Sequence, residues 1–192
     1  KVSTLQKNDF LRRFGDNAQG IALELNQTPL KKGIDFEDIA RRKGSIIILD
    51  QISDPHNLGA IIRSAEALGC DGVVITKDNS CPINETVIKS AAGATAYIAV
   101  EQVQNLAQFI DRIKKIGFWV IGTSDHATTP MRSIADIRPA ACIIGSEGKG
   151  MRRLTEDKCD YTVAIPMKGR ISSLNASVAA GIILYSLLIN SE

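Results

Sequence analysis

No apolar run in this 192-residue chain reaches the roughly 18 residues that a membrane span needs. The longest, Val178–Ile189, is interrupted by Gly181, Tyr185 and Ser186 and suits a core helix, so no membrane partner is expected. The first thirty residues contain no apolar core of a secretory signal, and a cytoplasmic location is the expectation. The chain opens at Lys1 rather than Met, from which a segment upstream is expected. Cysteine is sparse and scattered: Cys70, Cys81, Cys142 and Cys159 form no CxxC pair, and His56 and His126 lie far apart. That pattern argues against zinc and against a disulfide framework and predicts reduced thiols, with no metal expected. Charge of one sign is missing too, since the net charge is only +2, so bulk charge selects no partner. Small basic clusters do occur at Arg12–Arg13, Lys31–Lys32, Arg41–Lys43, Arg152–Arg153 and Lys168/Arg170. Each alone reads as a solvated face; only several on one surface would make a nucleic-acid footprint.

What is present is an ordinary globular composition, 44% hydrophobic and 23% charged, in a chain long enough for one domain with a sizeable core. Residues 1–44 are polar and weakly patterned, reading as an N-terminal extension. Leu5–Phe14 suggests a short helix, Gly20–Leu25 a strand, Thr28–Gly33 a turn and Asp35–Arg42 a helix. From Ser45 the rhythm changes. Ile46–Leu49 is a continuous apolar run, as in a strand buried on both faces. Asn57–Leu68 follows with helical spacing of Leu58, Ile61, Ile62, Ala65 and Leu68, and Gly69 stands where a C-cap belongs. Further strands are predicted at Gly72–Ile75, Tyr97–Val100, Trp119–Gly122, Ala141–Ile144 and Tyr161–Ile165. Helices are predicted near Asn84–Ala91, Asn105–Ile116, Met151–Glu156 and Leu174–Ile189. Alternating strands and helices, with no internal repeat, predict one α/β domain over 45–192 built on a mostly parallel sheet flanked by helices.

The familiar nucleotide motifs are also absent. The first strand ends at Asp50 and runs into QISDPHNLG, with no GxGxxG, so a Rossmann dinucleotide turn is excluded. GSEGKG has the wrong spacing for a P-loop and places Gly150 where Ser or Thr would bind magnesium. Ser146 lies in no GxSxG elbow.

Three loops nevertheless concentrate special residues at predicted strand ends, where open α/β sheets hold ligands. In DPHNLGAIIR (Asp54–Arg63), Pro55 and Gly59 shape the turn and Asn57 is a candidate N-cap. Arg63, six residues after Asn57, reads either as half of a surface ion pair or as a guanidinium fork for phosphate. In IIGSEGKG (Ile143–Gly150), Glu147 sits among Gly145, Gly148 and Gly150. The glycines serve either a helix cap or the close approach of a ligand to the backbone. In IPMKGRISSLNASV (Ile165–Val178), Ser172, Ser173 and Asn175 stand at the mouth of the last helix, where Ser173 is either an N-cap or a ligand contact.

Taken together, DPHNLGAIIRSAEALGCDGVV, IIGSEGKGM and IPMKGRISSLNASVAAGIILY resemble the three motifs of the SpoU (TrmH-like) RNA ribose 2′-O-methyltransferases of the SPOUT superfamily. The resemblance runs from about Ile46 to the C-terminus. NAQGIALE (Asn17–Glu24) is similar to the segment before the catalytic domain in the ribosomal-RNA-modifying branch. That branch usually carries a small N-terminal RNA-binding domain, little of which is present in this sequence. The resemblance implies a C-terminal trefoil knot, a homodimer, and S-adenosylmethionine (AdoMet) as methyl donor. It implies a cofactor pocket at Thr123, Gly145, Ile165, Met167 and Leu174, and catalytic residues Asn57, Arg63, Glu147, Ser173 and Asn175. The implied substrate is RNA: a guanosine ribose in 23S ribosomal RNA is favoured, with transfer RNA as the alternative. A catalytically silent RNA-binding module on the same fold is the rival from another class. The family's candidate for activating the 2′-hydroxyl is Arg63. A guanidinium is a reluctant base, so a phosphate clamp is the preferred role, with an RNA phosphate taking the proton.

Overall fold

Ser45–Asp50, SIIILD, is buried along its whole length, which requires helices on both sides of it. The computed structural model describes residues 2–18, 20–22, 30–31, 33–148, 150–171 and 173–189. Helix α1 (Lys7–Phe14) comes first and buries none of its residues. Helix α2 (Phe36–Arg41) begins where the Asp35 side chain accepts from Asp38 N at 2.9 Å. It buries Phe36 and Ile39, and the Phe36 ring meets Phe109 edge-on at 5.3 Å.

The chain then alternates through β1 (Ser45–Asp50), α3 (Pro55–Ala67), β2 (Gly72–Thr76), α4 (Glu85–Ser90), β3 (Ala99–Val103), α5 (Leu106–Ile116) and β4 (Trp119–Thr123). It continues through β5 (Ala140–Gly145), α6 (Arg153–Glu156), β6 (Tyr161–Val163) and α7 (Ala176–Leu188). All strand pairs are parallel, in a six-stranded sheet of order β3-β2-β1-β5-β4-β6. The two-residue period of β1 sorts its side chains into two cores. Ile47 and Leu49 join Leu58, Ile61 and Ile62 of α3 and Ile183, Leu184 and Leu187 of α7. Ile46 and Ile48 face Phe109, Ile110 and Ile113 of α5 together with Phe36 and Ile39. This is the expected α/β architecture.

Element boundaries moved where local chemistry overrode periodicity. The predicted strand at Tyr97–Val100 begins only at Ala99, because Ala94–Ala96 first form a 3-10 turn after Gly93 at φ 92°. The predicted Tyr161–Ile165 strand ends at Val163. Of the predicted Gly20–Leu25 strand, residues 20–22 lie in no strand and 23–25 fall outside the described residues. So do 28, 29 and 32 of the predicted turn, parts of Asn17–Glu24, Lys149 and Ser172.

The strand order positions the site. From β1 the chain passes to β2 on one side, whereas from β5, its other neighbour, it leaves towards β6 at the far edge. The loops after β1 and β5 therefore diverge and leave a crevice, the place where open α/β sheets bind ligands. Residues 164–175 must return from the β6 edge across the ends of β4 and β5, since Asn175 reaches Asn57 beside β1. That crossing spans about 14 Å at the usual strand spacing.

Candidate active site

Asp54 caps α3: its carboxylate accepts from Asn57 N at 2.7 Å, with Pro55 in the first turn. Pro55 pre-sets the helical φ and needs no N–H partner, which fixes the start two residues earlier than expected. Asn57 is therefore not the N-cap that its position suggested. It sits at the third helical position with its backbone satisfied and its side chain free. That amide donates to Glu147 Oε2 at 3.4 Å and accepts at Oδ1 from Asn175 Nδ2 at 2.9 Å. Asn175, not Ser173, is the N-cap of α7. Its Oδ1 accepts from Ser177 N at 2.9 Å, from Val178 N at 3.4 Å and from the Ser177 hydroxyl at 2.6 Å. One amide thus caps a helix with its oxygen and spans two motifs with its nitrogen. Residues 90 and 118 positions apart in sequence meet in one chain of hydrogen bonds.

Glu147 is presented by a tight turn closed by Ser146 N to Gly150 O at 3.0 Å and Gly150 N to Ser146 O at 2.9 Å. Gly148 and Gly150 adopt φ of 79° and 66°, which other residues reach only with strain. A Cβ on Gly145 would lie 2.1 Å from the Gly150 carbonyl carbon. The close approach expected of a ligand there is made on that side by the loop's own returning backbone.

Beneath the turn lies a pair that sequence reasoning missed. Asp50, fully buried at the end of β1, accepts from Arg152 Nε at 2.9 Å and from Arg152 N at 3.2 Å. Arg152 Nη2 is 2.8 Å from the same carboxylate. Asp50 stands opposite Gly145 in the β1–β5 ladder, so this pair ties the far end of the glycine turn to the strand beside its start. The available signal was an acid ending an otherwise apolar strand.

The remaining candidates are placed more loosely. Thr123, at the end of β4, donates its hydroxyl to Ile143 O at 3.1 Å. Ile165 and Leu174 are half-buried, and Met167 is 41% exposed. Arg63 and Ser173 are exposed and have no hydrogen-bond or ion-pair partner among the described residues. Arg63 lies roughly 120° around the helix from Asn57 and about 9 Å along it. Within a single chain the two side chains therefore leave α3 on different sides. Of the five catalytic candidates, three are brought together and two are not.

Burial pushes the Cys70 and Cys159 thiols up to about 12 and also raises those of Cys81 and Cys142. These are inert structural thiols at neutral pH. Among the described residues no group of His, Cys, Asp and Glu could hold a metal ion.

A parallel sheet whose diverging loops converge on one polar cluster defines a ligand-binding α/β protein with its site above the strand ends. A model of the SpoU rRNA methylase family matches residues 44–185. The chain belongs to the SpoU rRNA methylase family. It is 48% identical over 143 residues to a Staphylococcus haemolyticus protein named for the TrmH family of tRNA/rRNA methyltransferases, covering 74% of this chain and 57% of that one. The corresponding figures for Bacillus subtilis YacO, of the same TrmH-family designation, are 46% over 141 residues, 73% and 57%. The chain thus spans little more than half the length of these curated relatives. Among solved structures, the SpoU methyltransferase AviRb from Streptomyces viridochromogenes superposes with a TM-score of 0.75 at 28% identity, over 83% of this chain and 64% of that one. An AdoMet-bound rRNA methyltransferase from Sinorhizobium meliloti gives 0.75 at 26%, over 83% and 61%.

Proposed function

We propose that this protein is an AdoMet-dependent RNA methyltransferase that modifies a ribose 2′-hydroxyl, with a guanosine of 23S ribosomal RNA favoured over transfer RNA, acting in the cytoplasm. The observation that carries the proposal is the Asn57–Glu147–Asn175 contact. It joins one polar side chain from each of the three loops that the family resemblance singles out. The AdoMet-bound Sinorhizobium relative supports the choice of methyl donor.

The residues at the ends of β4, β5 and β6 suit that donor. Ile165, Leu174 and the exposed Met167 offer apolar surface for an adenine, beside the strand-end backbone of Thr123 and Gly145. When bound, AdoMet would supply an electrophilic methyl group. The protein's own work is then mainly positioning, which can account for a large share of the acceleration. Asn57 and Glu147 hold the ribose, with the carboxylate accepting from a sugar hydroxyl. Asn175 locks Asn57, Ser173 orders the loop against the substrate, and Arg63, which stands apart from this cluster within one chain, clamps an RNA phosphate through its planar fork. The proton of the 2′-hydroxyl passes to an RNA phosphate.

The methyltransferase unit is assigned to 45–192, with 1–44 as an extension whose helix α2 docks on the α5 face. The crossing of 164–175 suits the trefoil knot of the family. A homodimer is supported by an exposed apolar stripe along α7 and its C-cap, formed by Val178, Ile182, Tyr185 and Ile189.

Calorimetric titration with AdoMet tests the proposal. Micromolar binding near one per subunit is the expected result. Absence of binding by a folded protein would favour the silent RNA-binding module instead.

A further inference from the structure

Beside the Asn57–Glu147–Asn175 cluster, on the side away from the proposed cofactor pocket, opens a polar crevice of about 700 Å³. Its walls are the loop after β1, with Gln51 and Ser53, the loop after β2, with Asn79, Ser80 and Cys81, and Glu147 itself. The two loops are braced, not loose. Cys81 N donates to Ile52 O at 2.9 Å, and the Ser80 hydroxyl meets that of Thr76 at 2.5 Å. The Gln104 amide holds Asp78 at 3.0 Å. Yet the amides of Gln51 and Asn79 and the hydroxyl of Ser53 have no hydrogen-bond partner among the described residues. Gln51 and Asn79 also hold φ of 66° and 58°, two of only four positive values among the described non-glycine residues. Strain of this kind persists where a side chain must be aimed, and it clusters at binding sites.

We infer that this crevice is the base pocket of the acceptor nucleotide, read by the amides of Gln51 and Asn79. The inference rests on the methyltransferase reading and extends it to the part of the substrate that decides which nucleotide is modified. In a nucleoside the base is attached to the carbon next to C2′. A ribose whose 2′-hydroxyl lies at Glu147 must therefore send its base into an adjoining space. The proposed cofactor residues occupy the β4, β5 and β6 ends. The crevice opens at the β1 and β2 ends and adjoins those residues along the loop after β5, where Ser146 and Glu147 line it directly after Gly145. A carboxamide presents a donor beside an acceptor, the pairing that reads a base edge. Sequence-selective RNA recognition uses bases turned out of their stack and hydrogen-bonded at such edges. Cys81 and Pro82 supply the apolar floor. The pocket size lies within the range of small-molecule sites.

The test uses the intact protein and random-sequence single-stranded RNA containing 4-thiouridine and 6-thioguanosine. After irradiation, crosslinked peptides are mapped by mass spectrometry, and AdoMet affinity is measured on the same preparations. Crosslinks within 51–53 or 79–82 are expected. The variants Gln51→Gly and Asn79→Gly should lose those crosslinks about tenfold while keeping or raising Tm, since glycine accepts the positive φ that the native residues strain to reach. Their AdoMet affinity should stay unchanged. Wild-type protein that binds AdoMet but crosslinks only outside these two loops would overturn the base pocket alone. Failure to bind AdoMet would overturn the methyltransferase reading, while the crosslink map still reports on the crevice.

Discussion

Asn175 shows how much one side chain carries. As an N-cap it satisfies backbone donors of α7, and through its amide nitrogen it fixes Asn57 at 2.9 Å. The two roles separate by substitution. Asn175→Ala removes both and should cost about 1 kcal/mol of stability through the lost cap. Asn175→Ser keeps a capping oxygen but cannot reach Asn57. We therefore expect its urea midpoint to stay near wild type while RNA methylation falls on the order of a hundredfold, the penalty of a misplaced positioning group. Wild-type methylation by Asn175→Ser would show that the residue matters only as a cap. The helix after β1 was legible from its apolar spacing, but its start at Pro55 under the Asp54 cap was missed in favour of Asn57. The Asn57 partnership was not readable, because neither partner is near it in sequence.

Elements meet through single braces. The glycine turn that carries Glu147 is tied to β1 by Asp50 and Arg152, and the two partners differ in surroundings. Asp50 is fully buried, whereas the Arg152 side chain is 45% exposed. Removing Asp50 leaves an arginine that can turn to water. Removing Arg152 strands a buried carboxylate with only a backbone donor, and breaking a buried pair in this way costs about 3 kcal/mol. Arg152→Ala should thus destabilise more than Asp50→Asn in chemical denaturation; the reverse order would mean that the carboxylate gains solvent access. Helix α7 is apolar on all sides, with one face in the core and Ile182 and Tyr185 at 37% and 54% exposure on the other. Ile182→Asp should convert the proposed dimer to monomer by sedimentation at micromolar concentration. An unchanged oligomeric state would place any interface elsewhere.

Over the whole molecule, burial of the thiols sets a pH limit. Cys70 and Cys159 rise from an ordinary 9.0 to about 12, chiefly because burial disfavours the thiolate, and Cys142 rises for the same reason. Above pH 9 the unfolded chain releases protons that the folded one keeps, so stability falls as pH rises from about 9 to about 12. A Cys142→Ala variant should show a shallower decline of Tm between pH 8.5 and 10.5, and an unaltered slope would assign the loss to other groups. Seen at this scale, the sequence by itself determined the α/β class, nearly every strand and helix, and the three loops that matter. Those features are local: β-branched runs, helical spacing, and glycine or proline at turns. The tertiary structure alone decided which loop residues meet. Strand order brings the β1, β5 and α7 loops together, and no periodicity encodes strand order. It also decided that Asp50 braces the glycine turn, because that contact joins residues 102 positions apart, a separation closed only when a parallel sheet stacks its strand ends at one edge.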